Sequence, residues 1–199
     1  MEKRSINFEL RAKPESRTIF GTATVFNSSY DMGWYDEEMS PESLNEADMK
    51  DVVALFNHDM NMVLARTSSG TLKLNVTGNA MEYEFEAPNT TLGNDLLEMV
   101  KRGDVYQSSF AFTVDTEDWQ ERKGMKPKRV IRSIKKVYDV SPVTYPANPD
   151  TMVAKRSYEA TKEIDKDLQT IIDISVKSEI NIQNELRRNA LHLLNLKQK

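Results

Sequence analysis

From Gly103 to Val114 the chain alternates between two faces, with Tyr106, Ser108, Phe110, Phe112 and Val114 on one and Val105, Gln107, Ser109, Ala111 and Thr113 on the other. The pattern predicts a strand with an aromatic face and a smaller, more polar face that carries Ser109. A hydroxyl held between small neighbours and backed by two phenylalanines is well placed for a rigid nucleophile, although a lone strand serine is ordinarily only structural. A helix delivers the chain into this strand. Over Thr91 to Arg102 the apolar positions Leu92, Leu96, Leu97 and Val100 form one stripe. Thr90 or Thr91 caps it, Lys101 and Arg102 suit its C-terminal end, and Gly103 supplies the stop.

Upstream, Ser5 to Ala12 and Arg17 to Phe26 read as an opening hairpin around Lys13-Pro14-Glu15-Ser16, followed by a loop over 27–33. Ser40-Pro41-Glu42 has the order of an N-cap, a first-turn proline and a first-turn acid, and predicts a short helix to about Asp48. Val52 to Phe56 is apolar on both faces, which predicts a buried strand, and it stops abruptly in Asn57-His58-Asp59. Short strands follow at Val63 to Arg66 and Gly70 to Val76. After a Gly78-Asn79 turn, Met81, Tyr83 and Phe85 alternate with Glu82, Glu84 and Glu86, as in a strand with one wet face. Beyond Val114, the turn at Lys123-Gly124-Met125-Lys126-Pro127-Lys128 predicts an antiparallel return strand from Val130 to Val140.

Pro146-Ala147-Asn148-Pro149 closes a compact domain, predicted over 1–153, and the remainder, 154–199, changes character. From about Tyr158 there is no proline or glycine, and Ile164, Leu168, Ile172, Val176 and Ile180 recur every four residues. This predicts one or two amphipathic helices, either packed on the domain or forming an arm that pairs with another chain.

Composition narrows the function. Hydrophobic residues make up 39% and charged ones 29% of 199 residues, as in a folded chain with one core and an extension. The net charge of −4 argues against broad nucleic-acid binding. Locally, Arg122, Lys123, Lys126, Lys128, Arg129, Arg132, Lys135 and Lys136 face only Asp118 and Glu121. That is either a solvated hairpin or a docking surface for an acidic partner. Without cysteine there is no disulfide framework, thiol nucleophile or zinc-finger spacing. No signal peptide or membrane span is evident, so the sequence reads as an intracellular protein that is not membrane-bound.

His58 and His192 are the only histidines and lie far apart, which leaves metal catalysis poorly supported and no cofactor implied. What remains is His58 at a strand end, Ser108 or Ser109 in a strand, and scattered carboxylates. These are the parts of a serine hydrolase, in which an imidazole takes the hydroxyl proton and a third group holds the imidazole's tautomer. The third group is open among Asp139, Asp59, Asp104, Asp36, Glu37 and Glu38. The absence of a Gly-x-Ser-x-Gly elbow argues against an esterase of the common α/β type.

Five blocks in order resemble the prohead maturation proteases of tailed bacteriophages: Leu55 to Asp59, Arg66 to Leu72, Gly93 to Val105, Ser109-Phe110-Ala111-Phe112, and Asp139-Val140-Ser141-Pro142-Val143-Thr144-Tyr145-Pro146-Ala147. They cover roughly residues 17–153. The resemblance implies a serine protease related to herpesvirus assemblins, with an α+β fold built as a mostly antiparallel β-barrel with helices around it. It implies work in the host cytoplasm, inside the assembling prohead, on scaffold protein or the scaffold-like segment of the major capsid protein, and on the protease itself. It also suggests a homodimer or higher oligomer, with no membrane and no specific nucleic acid as partner. By motif, His58 matches the family's histidine, Ser109, the serine before Phe-x-Phe, matches its nucleophile, and Asp139 is the acid carried over. Ser108 departs from the family, which more often has an apolar residue there. The expectation is a serine endopeptidase using His58, Ser109 and Asp139; the rival is a non-catalytic capsid-assembly or scaffolding protein on the same fold.

Overall fold

The computed structural model describes residues 1–6, 10–13, 15–145 and 151–196. The chain forms two compact units, Met1–Val153 and Ala154–Lys199. The first is built from strands β1 (Glu2–Ile6), β2 (Leu10–Ala12), β3 (Thr18–Val25), β4 (Ser29–Asp31), β5 (Asp36–Met39), β6 (Val53–Leu55), β7 (Val63–Arg66), β8 (Leu72–Val76) and β9 (Ala80–Glu86). Helix α1 (Thr91–Arg102) and the long strands β10 (Gln107–Gln120) and β11 (Lys128–Val143) complete it.

The strands form two sheets. The larger runs β1-β10-β11-β5-β4, with β6 also on β11 and β7 beside β6; the smaller runs β2-β3-β9-β8. The fold is thus α+β, mainly strands and mainly antiparallel, and among the described residues the strand pairings close neither sheet into a barrel. The predicted hairpin of β10 and β11 is present; β11 extends beyond its expected bounds of Val130 and Val140 at both ends, whereas β10 begins at Gln107 instead of Gly103 and runs on to Gln120. Two parallel pairings were not visible in the sequence. The first half of β11 runs beside β5, Lys128 to Asp36, and its second half beside β6, Asp139 to Val53. One long strand therefore carries an acidic strand at one end and, at the other, the buried strand that leads to His58.

Three local expectations change. The run from Ser5 to Ala12 is not one strand: β1 pairs with β10 in the large sheet, whereas β2 pairs with β3 in the small one. The intervening residues 7–9, Pro14 in the predicted turn, and the Pro146 to Pro149 stretch lie outside the described residues. The loop predicted over 27–33 contains β4, which pairs with β5. The helix predicted from Pro41 to about Asp48 is only a 3₁₀ turn, Pro41–Leu44, and the Ser40 side chain makes no capping bond to it. Long-range pairing ends the turn, because Asp48 N–H donates to the Lys135 carbonyl and Asp48 bridges to Lys136 in parallel.

Helix α1 matches its sequence signals because they are local. Thr90 Oγ1 accepts the Gly93 N–H at 3.1 Å, and Gly103 adopts φ 81°, which lets the Asp104 N–H reach the Met99 carbonyl. Gly93 is required for packing: a β-carbon there would lie 2.1 Å from the Pro88 carbonyl oxygen. That carbonyl cannot easily retreat, since Arg17 Nη2 donates to it at 2.8 Å. Gly93→Ala is therefore expected to destabilise the protein by about 1–3 kcal/mol, despite alanine's better helix propensity, read as a lower urea midpoint.

Between the sheets lies one core that includes Ile19, Tyr83, Phe85, Leu96, Phe110, Phe112, Ile134 and Val140. Beside it, within the large sheet, sits a buried ionic cluster. Arg4 pairs with Glu2 and Glu37, and Arg129 pairs with Glu2, Glu37 and Glu117. Arg4 also lies over the Phe112 ring and Arg129 over Trp119, which stacks on Trp34. This cluster absorbs one residue of the basic stretch, and β4, β5 and nearby acids absorb others: Arg122 pairs with Asp36, Lys126 with Asp31, Lys128 with Glu38, Arg132 with Asp118 and Lys136 with Asp48. The basic stretch is thus largely neutralised within the fold, which leaves little of it for an acidic partner.

The second unit belongs to α2 (Thr151–Leu196), a single helix. On it Ile164, Leu168, Ile172 and Val176 are exposed. Among the described residues no helix is long and apolar enough to cross a membrane.

Candidate active site

Ser109 and Ser141 face each other directly across the β10–β11 ladder, and Ala111 faces Asp139 one step along. Antiparallel partners share a face, so Ser109, Asp139 and Ser141 form one polar patch on one face of the large sheet. Asn57 and His58 carry His58 over that patch. Both have positive φ, 56° and 57°, a left-handed conformation that asparagine and histidine tolerate better than most residues. The turn is pinned to the end of β11. Asn57 N–H donates to the Pro142 carbonyl at 3.0 Å, and Asn57 Oδ1 accepts the Thr144 N–H at 2.9 Å.

The imidazole then bridges the patch. His58 Nδ1 lies 2.5 Å from Asp139 Oδ1, and Nε2 lies 2.5 Å from Ser109 Oγ. An ionised carboxylate can only accept, so Nδ1 carries the proton and Nε2 of the neutral ring is left to accept from the hydroxyl. Ser141 Oγ donates to the same Asp139 oxygen at 2.7 Å and sits 3.3 Å from His58 Nδ1. On its other side, Ser109 Oγ lies 3.0 Å from the Arg4 carbonyl of β1. One hydroxyl proton cannot serve both acceptors. With His58 neutral it goes to Nε2, and with His58 protonated it turns to Arg4. The site is closed: Ser109 is fully buried, and the His58 and Asp139 side chains are 5% and 7% exposed.

The two adjacent serines are separated by the pleat. Ser108 points to the opposite face, where its Oγ meets the Tyr83 hydroxyl at 2.8 Å. Burial pushes that phenol's pKa well up, against the smaller opposing effect of the Ser108 hydrogen bond. Among the described residues Ser108 thus has no imidazole within reach. The other carboxylates weighed from the sequence are occupied elsewhere. Asp59 accepts from the Asn61 N–H within its own turn, Asp104 pairs with Arg102, Asp36 with Arg122, Glu37 with both buried arginines and Glu38 with Lys128. Of these carboxylates, Asp139 is the one that meets His58. Ser141, the Arg4 carbonyl and the Asn57–Thr144 clasp were not singled out from the sequence. Only Ser141 had a sequence signal, its place two residues after Asp139 on the same strand face. Two open grooves of about 770 and 610 Å³ lie along the small sheet, and neither is lined by His58, Ser109 or Asp139.

Over residues 6–164 the chain matches the family model described as caudovirus prohead serine protease. It belongs to that family. No curated protein and no solved structure matches the chain. As a prohead protease it is a peptidase of phage capsid maturation, and the match takes in β2 to β11 with every residue of the His58–Ser109–Asp139 cluster. It ends inside α2, so the helix of this prohead protease beyond Ile164 lies outside the match.

Proposed function

We propose that the protein is a serine endopeptidase in which Ser109 is the nucleophile, His58 the general base and then acid, and Asp139 the group that orients His58. The observation that carries this is the imidazole itself, with both ring nitrogens at 2.5 Å from the two groups the chemistry needs. His58 Nε2 takes the Ser109 proton as Oγ attacks the peptide carbonyl, and the Asp139 carboxylate stabilises the imidazolium without accepting its proton. The proton then passes to the leaving amine, giving an acyl-enzyme. A water deprotonated by the same imidazole attacks the ester and restores Ser109. Asp139→Asn leaves the packing nearly unchanged but favours the wrong tautomer of His58. It is expected to lower kcat by about 10⁴-fold with KM little altered, measured by single-turnover cleavage.

The substrates that fit are scaffold protein, the scaffold-like segment of the major capsid protein and the protease's own chain, cut in the host cytoplasm inside the assembling prohead. The exposed apolar residues Ile164, Leu168, Ile172 and Val176 support a role for the 154–199 arm in pairing with another chain, a second copy or an assembly partner. Such tethering raises the local concentration of enzyme at its substrate. The two sheets are read as the wall of an assemblin-like barrel, supported by the Leu10 N–H bond to the Tyr106 carbonyl that links them. The deciding experiment is intact-mass spectrometry of wild type and Ser109→Ala, each alone at high concentration and with the capsid protein encoded beside it. Defined fragments only with wild type are expected. Intact proteins in every mixture would replace this reading with that of a non-catalytic assembly protein.

A further inference from the structure

We propose that Ser141 is a positioning residue of the same site, holding the Asp139 carboxylate in line with the imidazole. The inference rests on the Ser109–His58–Asp139 reading above. Ser141 is fully buried and lies directly across the ladder from Ser109, so its hydroxyl faces the protein interior and not a surface. Its Oγ donates to Asp139 Oδ1 at 2.7 Å, the oxygen that also receives His58 Nδ1–H. At 3.3 Å from His58 Nδ1, the same Oγ lies beside that proton as well. Two donors therefore meet at one carboxylate oxygen.

The need for such a donor follows from the surroundings of Asp139. Its side chain is 7% exposed, and among the described residues no lysine or arginine forms an ion pair with it. A buried carboxylate without a cation needs hydrogen-bond donors to stay charged, and when His58 is neutral only a neutral donor can supply them. Ala111, opposite Asp139, offers a methyl and no donor. Ser141 supplies the second hydrogen bond that His58 alone cannot. With two donors on one oxygen the carboxylate is fixed about its side-chain torsions; with one, it can rotate and carry the imidazole out of line with Ser109. Ser141 touches neither substrate nor the reacting hydroxyl, so its effect passes through Asp139.

The test is reaction of the full chain with a fluorophosphonate, which needs no knowledge of the natural substrate. Ser109 Oγ bonds to phosphorus as the P–F bond breaks, fluoride leaves, and the hydroxyl proton passes to His58. For Ser141→Ala, kinact is expected to fall about tenfold, as for the loss of one hydrogen bond to a charged group, with KI unchanged. Ser141→Thr keeps the hydroxyl and is expected to recover most of the rate. A purely structural serine would lower the melting temperature and leave the rate of the folded protein unchanged. The proposal is overturned if folded Ser141→Ala reacts at the wild-type rate, or if Ser141→Thr is as slow as Ser141→Ala. Should wild type take no label at Ser109, the nucleophile reading fails and this one with it; labelled wild type with no loss in Ser141→Ala refutes the role of Ser141 alone.

Discussion

Ser109→Ala is expected to abolish cleavage, lowering kcat by about 10⁶-fold, while its neighbour Ser108→Ala remains active. The two differ by one position and by everything around them. Ser109 Oγ has His58 Nε2 at 2.5 Å; Ser108 Oγ meets the Tyr83 phenol, on the other face of β10. Stability should rank the other way. Ser108→Ala leaves a fully buried Tyr83 hydroxyl without its partner, at a cost of about 1–3 kcal/mol. Ser109→Ala removes a hydroxyl whose neighbours are an imidazole and the Arg4 carbonyl, and the latter stays within a paired strand. Cleavage rates and urea midpoints measured together on the two variants check this. Activity lost with Ser108 and kept without Ser109 would reverse the assignment.

Arg129→Met is expected to be the most destabilising single change outside the core, by about 3–5 kcal/mol, because it breaks one side of a buried ionic cluster and leaves the other. Arg129 is 1% exposed and holds three carboxylates, Glu2, Glu37 and Glu117. Without it, Arg4 alone faces Glu2 and Glu37. The pH dependence follows from Glu2. Burial on its own would raise that carboxyl's pKa, but hydrogen bonding and charge from Arg129, with Arg4 adding to both, hold it below its ordinary value of 4.5. A depressed folded-state pKa means that the unfolded chain binds the proton more readily. The resulting stability is present above the unfolded-state pKa and is lost as pH falls through the folded one. Arg129→Met forfeits that contribution, so its deficit against wild type should be largest near neutrality and shrink on acidification below about pH 4.5. Urea unfolding of both proteins across that range measures it. A deficit that is constant with pH would mean that the loss comes from packing against Trp119 and not from charge.

What the sequence conveyed about this fold was mostly local. The caps of α1, the alternation of Met81, Tyr83 and Phe85 in β9 and the return of β10 into β11 depend on neighbouring residues, and their signals survive folding. The features that were not legible join residues far apart. Glu2 and Arg129, or Arg4 and Glu37, carry no mark in the sequence that they will meet. The basic stretch from Arg122 to Lys136 looked unbalanced because the acids that pair with Lys126 and Lys128 stand in β4 and β5. The parallel registers of β11 with β5 and β6 were likewise hidden, as was the split of the first predicted strand between two sheets. At the candidate site, alternation put Ser109 on the small polar face, and the structure brings His58 and Asp139 to it. The left-handed turn at Asn57 and His58 and the second donor at Ser141 needed three-dimensional placement.

The most direct measurement is to treat the full-length protein with a fluorophosphonate and to locate the adduct by tandem mass spectrometry, beside His58→Ala and Ser109→Ala. The account predicts a single adduct on Ser109 in the wild type, slowed drastically in His58→Ala and absent from Ser109→Ala. An adduct on Ser108, or none in the wild type, would contradict it.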